Sequence, residues 1–290
     1  MDRRKFLKYN LLGSMAMGVL PAHLYASEAP SKVLNPSDEV VLGNTNIRTS
    51  RMAMGTGTRG FGGSSNQTRQ LGIKGLPDLL HAAYEEGITF WDSADQYGSH
   101  PHVKKALQHV PREKVTILSK THAESYDDMK KDLDRFRKEM GTDYIDIILL
   151  HAVKDPQWNI KHKGAMEALV EAREEGIIKA HGVSCHSIGA LKTAAEEPWV
   201  MVDLARFNPA GASMDDDVPT VRKVLQRMKA NGKAIIAMKV YGAGKLVNRK
   251  DEALKFQANH DFVDAFTLGI ENYDQFKDIQ RRLPAVTTSS

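Results

Sequence analysis

Residues 144–187 read YIDIILLHAVKDPQWNIKHKGAMEALVEAREEGIIKAHGVSCHS, and this stretch contains the unit that decides the fold. An apolar run at Ile145–His151 predicts a buried strand, and the periodicity of Lys163–Glu175 predicts a helix. A second apolar run follows at Ile178–Val183. Continuous apolar runs are typical of parallel strands that helices cover on both faces. The stretch therefore predicts a strand–helix–strand unit.

The same unit repeats along the chain in both directions. The predicted strands are Met52–Gly55, Ile88–Asp92, Val115–Ser119, Ile145–His151, Ile178–Val183, Met201–Ala205, Ala234–Lys239 and Val263–Leu268. The predicted helices are Leu76–Glu86, His102–Gln108, Tyr126–Met140, Lys163–Glu175, Ile188–Ala195, Val218–Ala230, Lys250–Asn259 and Tyr273–Arg282. This alternation predicts an α/β fold, a closed (β/α)8 TIM barrel.

Two segments near the first predicted strand bear on this choice of fold. The pattern from Val40 predicts a β-hairpin that turns at Gly43 and Asn44 and closes one end of the barrel. The glycine-rich run GTGTRGFGG, residues 55–63, also suggests a doubly wound nucleotide-binding fold. That alternative is less favoured, because a loop of about twenty residues would separate the run from the next helix.

The composition is that of one globular domain. The chain has 290 residues, of which 41% are hydrophobic and 26% charged. The net charge of +4 arises from basic residues interleaved with acidic ones, so no nucleic-acid partner is expected. Cys185 is the only cysteine in the sequence, which excludes an internal disulfide.

The start of the chain has the layout of an export signal. A charged head with adjacent Arg3 and Arg4 precedes a modestly apolar stretch and the small residue Ala26. It resembles a twin-arginine signal peptide over residues 1–26, followed by a linker over 27–38 and the barrel over 39–290. We therefore expect an exported, periplasmic or extracytoplasmic protein, with the twin-arginine machinery as a partner and no membrane span after signal removal. An uncleaved N-terminal anchor stays open as an alternative.

Ionisable side chains follow successive predicted strands. Asp92 and Tyr97 follow the second strand, Lys120 the third, and His151 ends the fourth. Active sites of such barrels lie at the C-terminal ends of the strands, so these four side chains are expected to converge. An ammonium next to a phenol favours the phenolate, and a carboxylate holds the ammonium charged. A neutral imidazole can donate a hydrogen bond to a substrate oxygen.

Four segments carry a family resemblance: FWDSADQYG (90–98), ILSKTH (117–122), YIDIILLH (144–151) and GIIKAHGVSCHS (176–187). They resemble the successive signatures of the aldo/keto reductase family. The resemblance implies an oxidoreductase that interconverts a carbonyl compound (an aldehyde, a ketone or a sugar-like compound) and its alcohol by hydride transfer with NADP(H) or NAD(H). It implies Tyr97 as the general acid/base, Lys120 and Asp92 as its partners, and His151 as the group that orients the carbonyl.

The resemblance also implies a set of residues that bind the cofactor. The set comprises Ser184, Cys185, Asn208, Met238, Lys239, Gly242, Gly244, Gly269 and Glu271. Cys185 stands where asparagine is common in the family. Glu271 stands where relatives specific for the phosphorylated cofactor offer a lysine or arginine, and a carboxylate repels a 2′-phosphate. The sequence therefore suggests that NAD(H) is tolerated or preferred.

Two other functions stay open at this point. A cofactor-binding sensor or accessory barrel with little turnover would keep the nucleotide site. A metal-dependent barrel isomerase would use acids and histidines at strand ends as ligands. No spacing typical of a zinc site is found, and Lys120 fits metal ligation badly, so no metal is expected.

Overall fold

The structure is a computed structural model that describes residues 33–288. Eight parallel strands close into a barrel with helices outside it, which confirms the predicted (β/α)8 fold. The predicted signal peptide, residues 1–26, lies outside the described residues, as do residues 27–32 of the predicted linker.

A two-stranded hairpin precedes the barrel, as predicted. Strands β1 (Glu39–Val41) and β2 (Arg48–Ser50) pair antiparallel. Leu42 and Ile47, from the connecting turn, are buried in the apolar cluster inside the barrel. The turn also packs closely on the chain before a barrel strand: Gly43 has a φ of 47°, and a Cβ there would lie 2.5 Å from Ala234 N. The hairpin thus plugs the N-terminal end of the barrel.

The barrel strands follow the predicted ones closely. They are β3 (Met52–Gly55), β4 (Phe90–Asp92), β5 (Thr116–Thr121), β6 (Ile145–Val153), β7 (Ile178–Cys185), β8 (Val202–Arg206), β9 (Ala234–Met238) and β10 (Ala265–Gly269). Each strand pairs in parallel with its sequence neighbour, and β10 closes the barrel on β3. All eight C-terminal ends therefore face one side of the molecule.

The helices cover the outside of the barrel. They are α1 (Asn66–Glu85), α2 (His100–Ala106), α3 (Tyr126–Met140), α4 (Trp158–Lys161), α5 (Lys163–Glu174), α6 (Ile188–Glu196), α7 (Val218–Ala230), α8 (Lys250–Ala258) and α9 (Tyr273–Thr288). Within residues 33–288, no helix combines the length and apolar character needed to cross a bilayer.

Helix α1 begins ten residues before its predicted start. Ser65 caps it, because its hydroxyl accepts from Thr68 N at 3.2 Å while Thr68 Oγ1 accepts from Ser65 N at 2.8 Å. Gly72 then interrupts the helix with a φ of 63°, and Pro77 lacks a backbone donor. Because these two residues interrupt the apolar periodicity, the sequence pattern does not indicate the first turns of α1. The glycine-rich loop before α1 is therefore much shorter than the sequence predicts.

Strand β6 carries an irregularity next to a predicted site residue. Its pairing with β7 shifts register between Leu150 and Val153, and Ala152 has a φ of 54°. Bulges of this kind commonly re-aim a side chain beside an active site. The side chain affected here is that of His151, which immediately precedes Ala152.

Candidate active site

The four predicted catalytic side chains lie together at the C-terminal ends of β4, β5 and β6. Tyr97 ends a single 3-10 turn, Asp95–Tyr97, that follows β4. Lys120 Nζ donates to Asp92 Oδ1 and to Ser93 O, the second at 2.7 Å. The same ammonium lies 4.9 Å from the centre of the Tyr97 ring.

Lys120 remains charged although it is fully buried. Burial lowers its pKa, but Asp92 and Tyr97 outweigh this effect, so the pKa lies above its usual value. Thr267, on β10, donates to Asp92 Oδ2 at 2.8 Å across the intervening strand β3 and so fixes the other carboxylate oxygen. Sequence reasoning missed Thr267, because its contact with Asp92 joins residues 175 positions apart.

Tyr97 is a neutral phenol at neutral pH. Burial raises its pKa, Lys120 lowers it and Asp92 raises it, with a net increase above the usual value. The ammonium thus acts in the direction expected from the sequence, but the loss of solvent around the half-buried ring has the larger effect. Tyr97 is therefore held as a proton donor beside a permanent cation.

His151 is also neutral. Burial lowers its pKa to about 2, with further contributions from Lys120 and His122 among other cationic groups. Its ring lies edge-on to Tyr97 with 5.7 Å between ring centres. Its Nε2 atom lies 3.4 Å from Nε2 of Gln96. The imidazole can therefore act as a hydrogen-bonding group without carrying a charge.

The glycine-rich loop packs on the ring of Tyr97. A Cβ at Gly57 would lie 2.2 Å from the ring, and one at Gly60 would lie 2.3 Å from its opposite edge. Only glycine at both positions leaves room for the ring where it stands. These two glycines thus serve to place Tyr97, a role that the sequence pattern alone did not indicate.

A bidentate ion pair anchors the turn that carries Tyr97. Arg135, on α3, donates to both oxygens of Asp95, at 2.7 and 2.9 Å. The same guanidinium binds Asp132 at 2.7 Å and Glu139 at 3.1 Å. Paired forks of this geometry restrict orientation as well as distance. The turn is therefore held from the outside by α3 and from the inside by the glycine loop.

A cleft of about 680 Å³ begins at Asp92 and Tyr97 and runs over the C-terminal ends of β3, β9 and β10. Its lining residues are Gly55, Gly57, Thr58, Arg59, Asn66, Asp92, Tyr97, Met238, Lys239, Val240, Tyr241, Ala243, Gly244, Val247, Lys250, Thr267, Leu268, Gly269, Ile270, Glu271, Gln275 and Ile279. We call it the main cleft. Its volume is that of a site for a sizeable small molecule.

The barrel, the four converging side chains and the cleft agree with a comparison of the whole chain. A model of the aldo/keto reductase family matches residues 53–288. The chain belongs to the aldo/keto reductase family. Relatives that match part of the chain are named as a dehydrogenase and as reductases.

Individual relatives of this aldo/keto reductase are distant. A D-threo-aldose 1-dehydrogenase of a Pseudomonas species is 26% identical over 201 residues, 58% of this chain and 60% of that protein. An NAD/NADP-dependent indole-3-acetaldehyde reductase of Schizosaccharomyces pombe is 30% identical over 141 residues, 46% of this chain and 49% of that protein. The chain thus spans about half to 60% of the length of these curated relatives.

Solved structures of aldo/keto reductases share the fold. An aldo-keto reductase of Bacillus halodurans in its holo form superposes with a TM-score of 0.67 and 17% identity, over 85% of this chain and 90% of that one. At this identity the likeness supports the barrel and nothing finer.

The main cleft of this aldo/keto reductase contains five of the predicted cofactor residues: Met238, Lys239, Gly244, Gly269 and Glu271. Sequence reasoning missed other residues that line it, including Thr58, Arg59, Asn66, Tyr241 and Gln275. Gln275 could have been suspected, because it lies in the first turn of α9, whose N-terminus faces the strand ends, whereas the start of α1 at Asn66 could not be predicted.

Ser184 lies on the inner face of β7 with its hydroxyl buried and without a hydrogen-bond partner among the described residues. Cys185 follows it and points the other way, since successive residues of a strand face opposite sides. Its side chain is fully buried in the outer apolar cluster, and burial raises the pKa of its thiol well above the usual value. The structure thus brings Ser184, and not Cys185, to the barrel mouth.

Two further predicted cofactor residues do not line the cleft. Asn208 is fully buried, and its amide donates to Ala212 O at 2.9 Å while its Oδ1 accepts from Ala210 N and Ala212 N. All its hydrogen-bonding groups are thus used within its own loop. Gly242 is buried below the cleft, where its φ of 58° turns the chain so that Ala243 and Gly244 reach the lining.

Within residues 33–288, one group of three histidine and carboxylate side chains lies close enough together to hold a metal ion: Asp95, His100 and Glu139. His100 Nδ1 lies 2.7 Å from Glu139 Oε2, and its Nε2 lies 2.8 Å from Ser119 Oγ. Arg135 donates to both carboxylates, so the charge that a cation would neutralise is already paired. The cluster is a structural network beneath the Tyr97 turn.

Asp203, next to Cys185 on the outer face of the barrel, provides a test of stability. Both its carboxylate oxygens are buried without a partner among the described residues, and burial raises its pKa well above the usual value, with Asp215 adding to the increase. Because the unfolded chain ionises freely above about pH 4, stability contributed by the neutral acid is lost as the pH rises toward the folded pKa. We expect Asp203→Asn to stabilise the protein by about 1–3 kcal/mol at pH 8 and to have little effect near pH 4.

The measurement is the melting temperature at both pH values, with Asp261→Asn as an exposed control. A variant at Asp203 that melts below the wild type at pH 8 would contradict this account of the buried acid.

Proposed function

We propose that this aldo/keto reductase transfers hydride between a nicotinamide cofactor and a small aldehyde or ketone, with Tyr97 as the general acid/base. The observation that carries the proposal is the position of Tyr97. Its neutral phenol stands at the head of the main cleft, beside the buried ion pair of Lys120 and Asp92 and the neutral ring of His151.

The chain's own residues supply the proton chemistry of this reaction. Reduction of a carbonyl builds negative charge on its oxygen, which must be met by a proton or a hydrogen bond. Tyr97 donates its phenolic proton to that oxygen. Lys120 then stabilises the resulting phenolate, since an ammonium close to a phenol favours its charged form. His151, which is neutral, donates a hydrogen bond to the same oxygen and orients it.

The main cleft has the features that a nicotinamide dinucleotide requires. Arg59 and Lys239 line the cleft without an ion pair among the described residues, which suits the diphosphate. Ser184, at the end of β7 and outside the cleft lining, has an unpartnered hydroxyl that suits the carboxamide. Gly269 also lines the cleft, and a Cβ there would lie 2.0 Å from Thr58 Oγ1, so glycine at this position lets the glycine-rich loop pack on the end of β10. When bound, the nicotinamide supplies or accepts the hydride.

The far end of the cleft suits an unphosphorylated ribose. Glu271 lines it and accepts from Asn66 Nδ2 at 2.9 Å. A carboxylate held in this way accepts hydrogen bonds from ribose hydroxyls and repels a 2′-phosphate. We therefore propose that NAD(H) is accepted at least as well as NADP(H).

The cofactor preference is tested with Glu271→Lys. Replacing the anion with a cation should raise the ratio of kcat/KM for NADPH to kcat/KM for NADH by about tenfold or more. Asp274→Lys makes the same charge change in the first turn of α9, outside the cleft, and should leave the ratio unchanged. A strong wild-type advantage for NADPH that survives Glu271→Ala would refute the assignment.

The proposed function itself is tested by turnover. Purified protein is mixed with NADH or NADPH and a panel of small aldehydes and ketones, and loss of reduced nicotinamide absorbance is followed. Turnover that requires Tyr97 supports the proposal. Tight binding of the cofactor without turnover of any carbonyl compound would favour the sensor or accessory role.

We further propose that the protein is exported through the twin-arginine route. The support is the sequence of residues 1–26, with Arg3 and Arg4 ahead of a short apolar stretch. Fractionation of cells that express the chain and an Arg3→Lys, Arg4→Lys variant tests it, with retention of the variant as the expected result.

A further inference from the structure

We propose that Thr267 is a positioning residue for proton transfer by Tyr97, and that it acts through the ion pair of Asp92 and Lys120. The inference rests on the proposed function and adds a residue to its proton-transfer machinery. The hydroxyl of Thr267 donates to Asp92 Oδ2 at 2.8 Å, and Lys120 donates to Asp92 Oδ1. The carboxylate of Asp92 is therefore held on one side by a hydroxyl and on the other by the ammonium that lies next to the Tyr97 ring.

A glycine on β3 leaves space for the bond between Thr267 and Asp92. Strand β3 lies between β10, which carries Thr267, and β4, which carries Asp92. Gly55 is paired with Asp92 on one side and with Gly269 on the other. A Cβ at Gly55 would lie 2.9 Å from Thr267 Oγ1. Because a side chain at Gly55 would crowd this hydroxyl, the glycine lets a residue of β10 bind a residue two strands away.

The main chain of Asp92 is fixed without help from Thr267. Thr56 donates to Asp92 O from its backbone nitrogen at 3.0 Å and from its hydroxyl at 2.9 Å. The hydroxyl of Ser99 lies 2.8 Å from Thr56 Oγ1 and 2.6 Å from Ser93 Oγ, which extends this contact into a buried chain of three hydroxyls. What Thr267 adds is therefore the orientation of the Asp92 carboxylate.

Loss of this orientation would reach Tyr97 through Lys120. Asp92 is 6% exposed, and its Oδ2 atom accepts from no other donor among the described residues. Without the hydroxyl of Thr267, a buried oxygen without a partner would disfavour the charged carboxylate. Asp92 supports the charged form of Lys120, whereas burial opposes it. A carboxylate that turns away or takes up a proton therefore leaves less of the ammonium that stabilises the phenolate of Tyr97.

Thr267 also lines the main cleft, so contact with the cofactor is the competing role for its hydroxyl. The residue is 8% exposed, and the hydroxyl proton is already donated to Asp92. It therefore offers a cofactor one lone pair and little surface. A cofactor contact would appear as weaker binding of the cofactor, whereas a role through Asp92 would appear in the turnover rate of the bound complex.

The test begins with Thr267→Val, which keeps the shape of the side chain and removes its hydroxyl. With a carbonyl compound that the wild type reduces, we expect kcat to fall about tenfold, since a catalytic group that is slightly misplaced reacts more slowly. The KM for the carbonyl compound and the dissociation constant of the reduced cofactor, from fluorescence titration, should change less than about twofold. Thr267→Ser keeps the hydroxyl and should restore kcat to within about twofold of the wild type.

Thr49→Val is the matched control. Thr49 is a buried threonine of the hairpin, at the opposite end of the barrel, and its hydroxyl has no hydrogen-bond partner among the described residues. The same chemical change there should leave kcat unchanged. Melting temperatures of the variants establish that each of them is folded under the assay conditions.

A double-mutant cycle tests whether Thr267 acts through Asp92. Asp92→Ala removes the carboxylate and should lower kcat by itself. Adding Thr267→Val to Asp92→Ala should then change kcat less than about twofold, because the group through which the hydroxyl acts is gone. Two effects that simply multiply would mean that Thr267 acts by another path, and would overturn the inference.

The remaining outcomes separate this inference from the proposed function. A Thr267→Ser variant as slow as Thr267→Val, an unchanged kcat in Thr267→Val, or a loss confined to cofactor binding would each overturn the role of Thr267 while the oxidoreductase assignment stands. Failure of the wild type to reduce any carbonyl compound of the panel would overturn the proposed function and this inference with it.

Discussion

Tyr97→Phe should lower kcat/KM for carbonyl reduction by about 10²–10⁴-fold, since it removes the group that donates the proton in the transition state. The ring itself is kept, so its packing against Gly57 and Gly60 should persist. Cofactor affinity, measured by fluorescence titration with NADH, should change little. The loss should therefore appear in kcat and kcat/KM together, as expected for an interaction made only in the transition state.

Two comparisons make this result specific. Tyr126→Phe removes a hydroxyl that binds Glu171 on the barrel exterior and should leave turnover unchanged. The pH profile is the second: because the pKa of Tyr97 is raised, the wild-type rate of reduction should stay level through neutral pH and fall only in the alkaline range. A loss below tenfold in Tyr97→Phe would mean that Tyr97 does not supply the proton.

Gly57→Ala should lower kcat by about 100-fold with little loss of stability, because the added methyl group would lie 2.2 Å from the Tyr97 ring and displace it. Displacing a catalytic group by about 1 Å can cost two orders of magnitude in rate. The circular dichroism spectrum should remain that of the wild type. Gly60→Ala, on the opposite edge of the ring, should have a similar effect.

Gly62→Ala is the control in the same loop. Gly62 has a φ of 60°, so alanine there carries some backbone strain, but a Cβ at this position meets nothing within 4 Å. Its turnover should stay within a few fold of the wild type. If Gly62→Ala and Gly57→Ala were equally impaired, loop strain and not contact with Tyr97 would explain both results.

Much of the fold could be predicted because its determinants are local. Buried parallel strands are apolar along their whole length, and helices α3 and α7 begin and end where the periodicity indicates. The start of α1 was missed, since Gly72 and Pro77 interrupt its pattern. Asp92, Lys120 and His151 could be placed because barrel topology alone brings successive strand ends together.

The rest of the site depends on contacts that no local pattern encodes. The packing of Gly57 on Tyr97 and the bond from Thr267 to Asp92 join distant parts of the chain. Asn208 and Cys185 are the reverse case: the resemblance implied a cofactor role, but Asn208 bonds within its own loop and Cys185 is buried in the outer apolar cluster. Strand alternation predicts that Ser184 and Cys185 face opposite sides, and the Asn-Pro-Ala-Gly sequence after β8 favours a self-bonded loop.

The hairpin lies at the N-terminal end of the barrel, opposite the loops of the candidate active site, so substitutions at the two ends can accumulate independently. Ala152, Lys239 and Ala243 have left-handed backbone at the C-terminal end of the barrel, while Leu42 and Ile47 complete the apolar packing at the other end. Substitutions at sites separated by more than about 10 Å usually add in their effects on stability. Selection for new substrates can therefore loosen the catalytic loops while compensating substitutions accumulate around the hairpin, which leaves the enzyme free to diversify without losing its fold.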